Sequence, residues 1–142
     1  MLMAAITTNH KAMDRDPKLR VLVADDHPDI CTTMSALLEA EGYAVRCVRD
    51  GGAAVIAVRE FRPHVCILDI GLPGQTGYSV AGQLRLMYGS RRPLLIAMSG
   101  QWVNPSEKLV AESVGFDHFM QKPAEPGRVL DLLKDLEASL HQ

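Results

Sequence analysis

The sequence predicts an α/β fold whose parallel sheet is covered by helices on both faces. Two observations carry that expectation. From Leu19 onward, compact apolar runs alternate five times with segments of helical periodicity, and no helical pattern follows another without a strand between. The composition agrees: 142 residues, 47% of them hydrophobic and 23% charged, fit one ordinary globular domain.

The elements follow in order. Arg20 to Ala24 is a buried first strand that runs into Asp25-Asp26. Pro28 suits the first turn of a helix, Ile30, Met34, Leu37 and Leu38 supply its apolar stripe, and Gly42 stops it. Ala44 to Val48 is the second strand. Gly51-Gly52 reads as a turn, and Ala53 to Phe61 as a short alanine-rich helix ended by Pro63. His64 to Leu68 is the third strand, closed by Asp69. A loop holding Gly71, Pro73, Gly74 and Gly77 leads to a helix over Tyr78 to Tyr88. Pro93 to Met98 is the fourth strand, ending at Ser99-Gly100. A helix from Pro105 to Val114 is closed by Gly115, and Phe116 to Met120 forms the fifth strand. The last helix runs from Glu125 to Leu140, with Val129, Leu132, Leu133 and Leu136 on one face.

Right-handed crossovers leave few ways to arrange five such units. The expected one is the flavodoxin-like (βα)5 fold, doubly wound, with strand order 2-1-3-4-5. Residues 1–18 are expected to form a flexible tail, and residues 19–142 the domain.

Charge and composition exclude several function classes. Fifteen Lys+Arg against seventeen Asp+Glu give a net charge of -2, which argues against direct DNA binding and against a polybasic membrane anchor. No run approaches the 18 or so apolar residues of a membrane helix, and Met1 to Thr8 lacks a basic flank that would make it a signal peptide. Cys31, Cys47 and Cys66 have no metal or redox spacing and read as reduced thiols. A cytoplasmic protein is the expectation.

In an open parallel sheet, sites lie at the carboxyl ends of the strands, near the reversal of strand order. Here those ends carry Asp25-Asp26, Asp69, Ser99 and Lys122. Close carboxylates repel by about 1–4 kcal/mol per pair at surface-like dielectric, so a dication and a lysine are needed to offset them. Oxygen ligands of this kind suit Mg²⁺. Asp25 and Asp26 would hold the metal, and Asp69 would be both ligand and nucleophile toward a phosphoryl group. Lys122 and the Ser99 hydroxyl would then meet the product oxygens.

The runs VLVADDHP (21–28), ILDIGLPGQTGY (67–78), IAMSG (96–100) and FMQKP (119–123) resemble the receiver domain of two-component response regulators. The resemblance covers about residues 19 to 140. It implies that Asp69 is the phosphoacceptor and that Asp25, Asp26, Asp69 and the backbone carbonyl of Gly71 are the Mg²⁺ ligands. It also implies that Ser99 and Phe119 are the switch pair, and that Lys122, before Pro123, is the lysine such domains use. The implied partners are a histidine kinase or histidine phosphotransfer protein upstream and a protein target downstream. A homodimer through the surface of the fourth helix, fifth strand and fifth helix is also implied. Such a domain catalyses its own phosphorylation and dephosphorylation without being a turnover enzyme. A stand-alone regulator is the first expectation. A receiver detached from a hybrid sensor kinase, acting as a phosphorelay intermediate, is the second.

Rivals fare worse. A Mg²⁺-dependent aspartate phosphatase of the haloacid dehalogenase type wants DxD after its first strand, where this chain has adjacent acids. A flavin mononucleotide binder would meet repulsion from the same acids. For single residues the duller readings are a helix cap for Asp26, a bystander at the pocket mouth for His27, and no visible role for His64 or His118. Arg91-Arg92 is too short a basic run to imply nucleic acid, and Trp102 packs locally or serves a partner surface.

Overall fold

A computed structural model describes residues 19–100, 104–122 and 125–140. The tail over 1–18, Trp102 and Pro123 lie outside the described residues. The elements are β1 (Arg20–Ala24), α1 (Pro28–Ala40), β2 (Ala44–Val48), α2 (Gly51–Phe61), β3 (Val65–Asp69) and α3 (Gly77–Tyr88). A 3₁₀ turn (Gly89–Arg91) follows, then β4 (Leu94–Ser99), α4 (Pro105–Val114), β5 (His118–Gln121) and α5 (Pro126–Leu140). All strand pairs are parallel and the order is β2-β1-β3-β4-β5, the doubly wound arrangement expected.

Side-chain alternation along the central strands divides the core into two layers. Leu22, Ala24, Cys66, Leu68, Leu95 and Ala97 face α2, α3 and α4, meeting Ala54, Val58, Val80, Leu84 and Ala111. Val21, Val23, Val65, Ile67, Ile96 and Met98 face α1 and α5, meeting Met34, Leu38, Val129 and Leu133. Each fully buried aliphatic chain contributes about 1.5–3 kcal/mol of transfer free energy, so the three central strands anchor the fold. The edge strands β2 and β5 are only half-buried. Cys31 and Cys66 are buried, Cys47 is half-buried, and none forms a disulfide. Burial pushes the Cys47 thiol up to about 12, and burial raises Cys66 as well, so both are chemically quiet.

Several boundaries differ from expectation. Gly51 and Gly52 are the first turn of α2 and not a turn before it, because the Asp50 carboxylate caps the helix by accepting the Ala53 N–H at 2.7 Å. β3 starts at Val65 and extends through Asp69, while β5 starts at His118, two residues later than expected. Phe116 is instead buried, packing edge-on against Tyr78 with ring centroids 6.2 Å apart.

Gly77 begins α3 under the end of β3. Its N–H donates to the Ile70 carbonyl at 2.9 Å, and a Cβ there would stand 2.7 Å from the Asp69 carbonyl oxygen. Gly77→Ala is therefore expected to destabilise the fold by about 1–3 kcal/mol, as overpacking against backbone does. Urea unfolding of the variant checks it. An unchanged midpoint would mean that the loop yields freely.

Candidate functional site

The carboxyl ends of β1, β3, β4 and β5 deliver Asp25, Asp69, Ser99 and Lys122 to one edge of the sheet. Asp25 follows β1 directly, and its N–H continues the ladder by donating to the Val48 carbonyl at 3.0 Å. Asp69 is the last residue of β3, with Ile70 N–H held by the Met98 carbonyl at 2.9 Å. Lys122 is fixed beside Ser99 because its backbone N–H donates to the Ser99 carbonyl at 2.7 Å. The accepting carbonyls belong to β2 and β4, and the donors directly follow β1, β3 and β5, so the side chains inherit the rigidity of the sheet.

Asp25 and Asp69 are the only buried charged or polar residues among those described, at 3% and 7% exposed. Lys122 bridges them: its Nζ lies 2.5 Å from Asp25 Oδ2 and 3.0 Å from Asp69 Oδ2. The second oxygen of Asp69 accepts the Gly71 N–H at 3.0 Å. Asp69 is thus pinned at both oxygens at the end of β3, where Gly77 lets the following loop close tightly.

Asp26 is half-exposed and is not the cap of α1. His27 takes that position without a side-chain capping bond, and its Nδ1 sits 3.2 Å from Asp26 Oδ1 and 2.9 Å from Asp25 Oδ1. His27 lines the cavity mouth, as expected, and it also ties the two acids together. Its backbone N–H adds a further bond to Asp25 Oδ1 at 3.0 Å.

The electrostatics follow from these contacts. Burial pushes the Asp25 carboxyl up, but the Lys122 ammonium and both His27 donors outweigh burial and hold it below the ordinary value of 3.8. Burial pulls the Lys122 ammonium down, and its bonds to Asp25 and Asp69 more than reverse that, leaving it above the ordinary 10.5. The hydrogen bond to Asp25, then the charges of Asp26 and Asp25, raise His27 above 6.5.

Asp26, His27, Asp69, Gly71, Ser99 and Lys122 line an open cavity of about 380 Å³. Ligand atoms of Asp25, Asp26, His27 and Asp69 all lie within 4.8 Å of one another. Carboxylate oxygens dominate this donor set, converge on one point and open to solvent, which fits a small hard cation that retains some of its waters. Phe119 stands apart from the acids. It is half-buried on β5 and lines a different cavity, of about 410 Å³, with residues of α4 and α5. The double grip of Lys122 on Asp25 and Asp69, and the tie made by His27, were not visible in the sequence pattern.

Comparison with known proteins bears on this arrangement. The profile described as "Response regulator receiver domain" matches residues 21–134. The sensory/regulatory protein RpfC of Xanthomonas campestris is 33% identical over 135 residues, which is 94% of this chain but only 18% of RpfC. The chain therefore spans about a fifth of that relative's length. The crystal structure of chemotaxis response regulator CheY4 of Vibrio cholerae superposes with a TM-score of 0.76 at 25% identity, covering 83% of this chain and 98% of CheY4. The receiver domain of sensor histidine kinase PA1611 from Pseudomonas aeruginosa superposes with a TM-score of 0.73 at 25% identity, covering 83% of this chain and 96% of that one. That structure holds a magnesium ion coordinated in its active-site cleft.

Proposed function

This chain belongs to the response regulator receiver domain family, and from that membership we propose that Asp69 accepts a phosphoryl group from a phosphohistidine. The donor is a histidine kinase or a histidine phosphotransfer protein. The observation that carries the reading is the Asp69 carboxylate itself, 7% exposed, gripped by Gly71 N–H and Lys122, and opening onto the acid-lined cavity.

An Asp69 oxygen attacks phosphorus in line, the P–N bond to the donor histidine breaks, and the imidazole nitrogen leaves with the bonding pair. Lys122 is already in place to neutralise charge on the transferred group. Asp25, Asp26, Asp69 and the Gly71 carbonyl are the groups that would hold Mg²⁺. When bound, the cation screens the phosphoryl oxygens from the carboxylates. Transfer adds about one further negative charge and new acceptor oxygens at the end of β3. Ser99 turns its hydroxyl toward them, and Phe119 on β5 moves inward behind it. The surface of α4, β5 and α5 carries the change outward to a protein target or to a second copy of the chain. This is a population shift, and each tenfold change in the ratio of the two states needs about 1.4 kcal/mol.

The likeness to a receiver carried on a sensor histidine kinase favours a second reading, in which the chain passes its phosphoryl group onward as a relay intermediate. Incubation with acetyl phosphate and Mg²⁺ tests the common core of both. One hydroxylamine-labile phosphoryl group per chain, seen by intact-mass spectrometry, is the expected result. A chain that gains no phosphoryl group sinks the proposal.

Mg²⁺ alone should also raise the melting temperature, since a ligand at a hundred times its Kd stabilises by about 2.7 kcal/mol. The double variant Asp25→Asn, Asp26→Asn should lose most of that gain. A melting temperature indifferent to Mg²⁺ in the unaltered chain would count against these ligands.

A further inference from the structure

We propose that the amino-end edge of the sheet, opposite the acidic one, is a second binding site that takes a small ligand bearing two or more phosphate groups. The fold gathers four arginines there from three separate segments: Arg20 opens β1, Arg59 lies in the last turn of α2 with Arg62 as its C-cap, and Arg91 sits in the 3₁₀ turn. With His64 they line a cavity of about 390 Å³ that no carboxylate lines. That size falls within the ordinary range of small-ligand pockets.

Two arginines elsewhere have acidic partners, Arg46 with Glu60 and Arg92 with Asp117, while Arg49 and Arg85 donate to backbone carbonyls of Asp26 and Ser113. Among the described residues, Arg59, Arg62 and Arg91 are in no ion pair. Four unneutralised guanidinium groups around one concavity create a local positive potential on a chain whose net charge is -2. Guanidinium groups bind phosphate oxygens in bidentate fashion, so four of them match at least two phosphates.

Two of the four positions are set by the backbone. The half-buried Arg20 side chain is anchored by its Nε, which donates to the Phe61 carbonyl at 3.1 Å and the Arg62 carbonyl at 2.8 Å. No described residue accepts from its terminal nitrogens. Arg62 has φ of 50°, the only non-glycine residue at positive φ among those described, at a cap where glycine is the usual choice. His64 accepts the Arg20 N–H on Nδ1 at 2.9 Å, which leaves the proton of its neutral ring on Nε2. Burial, then the charge of Arg20, keep its pKa below the ordinary 6.5, so it adds a donor and not a fifth cation.

The concave shape and the apolar patch of Val58, Pro63 and Pro93 beside the Tyr88 ring favour a compact organic phosphate over a macromolecule. The chain's negative charge opposes an extended polyanion such as DNA. Strands of five residues separate the two edges by roughly 15 Å, so the site is distinct from Asp69.

Titration calorimetry of the full chain in EDTA and low salt, with pyrophosphate and with ADP, tests the site. EDTA keeps divalent metal from drawing phosphate to the acidic edge. Saturable one-to-one binding of both ligands is expected, and tighter binding of ADP identifies the apolar patch as a base subsite. Equal affinities identify a phosphate-only site. Arg62→Gly, which relieves the positive φ, should weaken binding about tenfold with no loss in melting temperature, and Arg59→Gln with Arg91→Gln should weaken it further. Lys108→Gln, on α4, should change nothing. Three results would each overturn the proposal: no saturable binding of either ligand, the same affinity in the Arg62→Gly chain, or equal weakening by Lys108→Gln. Binding only of a duplex oligonucleotide would do so too. Because Asp69→Asn should bind these ligands normally, failure here is distinguishable from failure of the phosphoacceptor reading.

Discussion

Asp69→Asn is expected to reduce labelling by acetyl phosphate and Mg²⁺ to assay background while leaving the fold intact. Asparagine has the shape of aspartate and keeps an acceptor for the Gly71 N–H, now made at 3.0 Å, so the loop after β3 retains its anchor. It lacks the second anionic oxygen, and an amide nitrogen is not a nucleophile toward phosphorus at neutral pH. The substitution also removes one of two buried carboxylates that share Lys122, which relieves like-charge repulsion. Stability in EDTA should therefore change by no more than about 1 kcal/mol, within the range of surface-like substitutions and modest repacking. Intact-mass spectrometry with and without hydroxylamine reads the labelling, and urea unfolding in EDTA reads the fold. A variant that folds and still acquires an acyl phosphate would place the acceptor elsewhere.

Lys122→Met should have the largest effect on stability, about 3 kcal/mol in EDTA at neutral pH. Methionine matches the length of the lysine stem but leaves Asp25 and Asp69, 3% and 7% exposed, facing each other without a cation. Breaking a buried ion pair from one side costs about 3–5 kcal/mol, and the open cavity beside Asp69 favours the lower end. The pH dependence has a definite sign. Asp25 titrates below 3.8 in the folded chain, so its share of the stability is present above that value and is lost as pH falls. Lys122 titrates above 10.5, so its share is present below that value and is lost as pH rises. The gap between the two chains should thus be widest between these limits and should narrow in acid, where protonation removes the unpaired charges. Urea unfolding across pH measures it. Mg²⁺ should restore much of the lost stability and bind the variant more tightly, because the competing ammonium is gone. A loss under about 1 kcal/mol in EDTA would show that solvent already screens the pair.

How far these features can be read from the chain depends on whether they are local. Strands β1, β3, β4 and β5 each end at or one residue before a candidate site residue, so Asp25, Asp69, Ser99 and Lys122 could be placed on one edge from strand order alone. The apolar runs of β1, β3 and β4 made that order legible, since a strand buried on both faces needs no periodic pattern to be seen. The start of α2 is hidden because Gly51-Gly52 has the composition of a turn, and only the Asp50 cap makes it a helix start. β5 starts two residues later than its composition suggests because Phe116 has the character of a strand residue, yet it packs beneath α4. His27 was a weaker case. Its contacts with Asp25 and Asp26 depend on the φ and ψ of a helix cap, which adjacency in sequence does not specify. The arginine pole was the least legible, because four arginines spread over residues 20 to 91 converge only after three crossovers are complete.

A wholly parallel sheet gives its two edges different chemistry. Here the carboxyl edge carries Asp25, Asp26 and Asp69, and the amino edge carries Arg20, Arg59, Arg62 and Arg91. Separated charges of opposite sign form a permanent dipole along the strands. In the field of a charged partner such a molecule experiences a torque and turns before it touches. A partner presenting cations would meet the carboxylate end first, and one presenting anions would meet the opposite end. Encounter is then biased in orientation as well as in rate, and salt near physiological strength, with a Debye length of about 8 Å, confines that bias to the final approach.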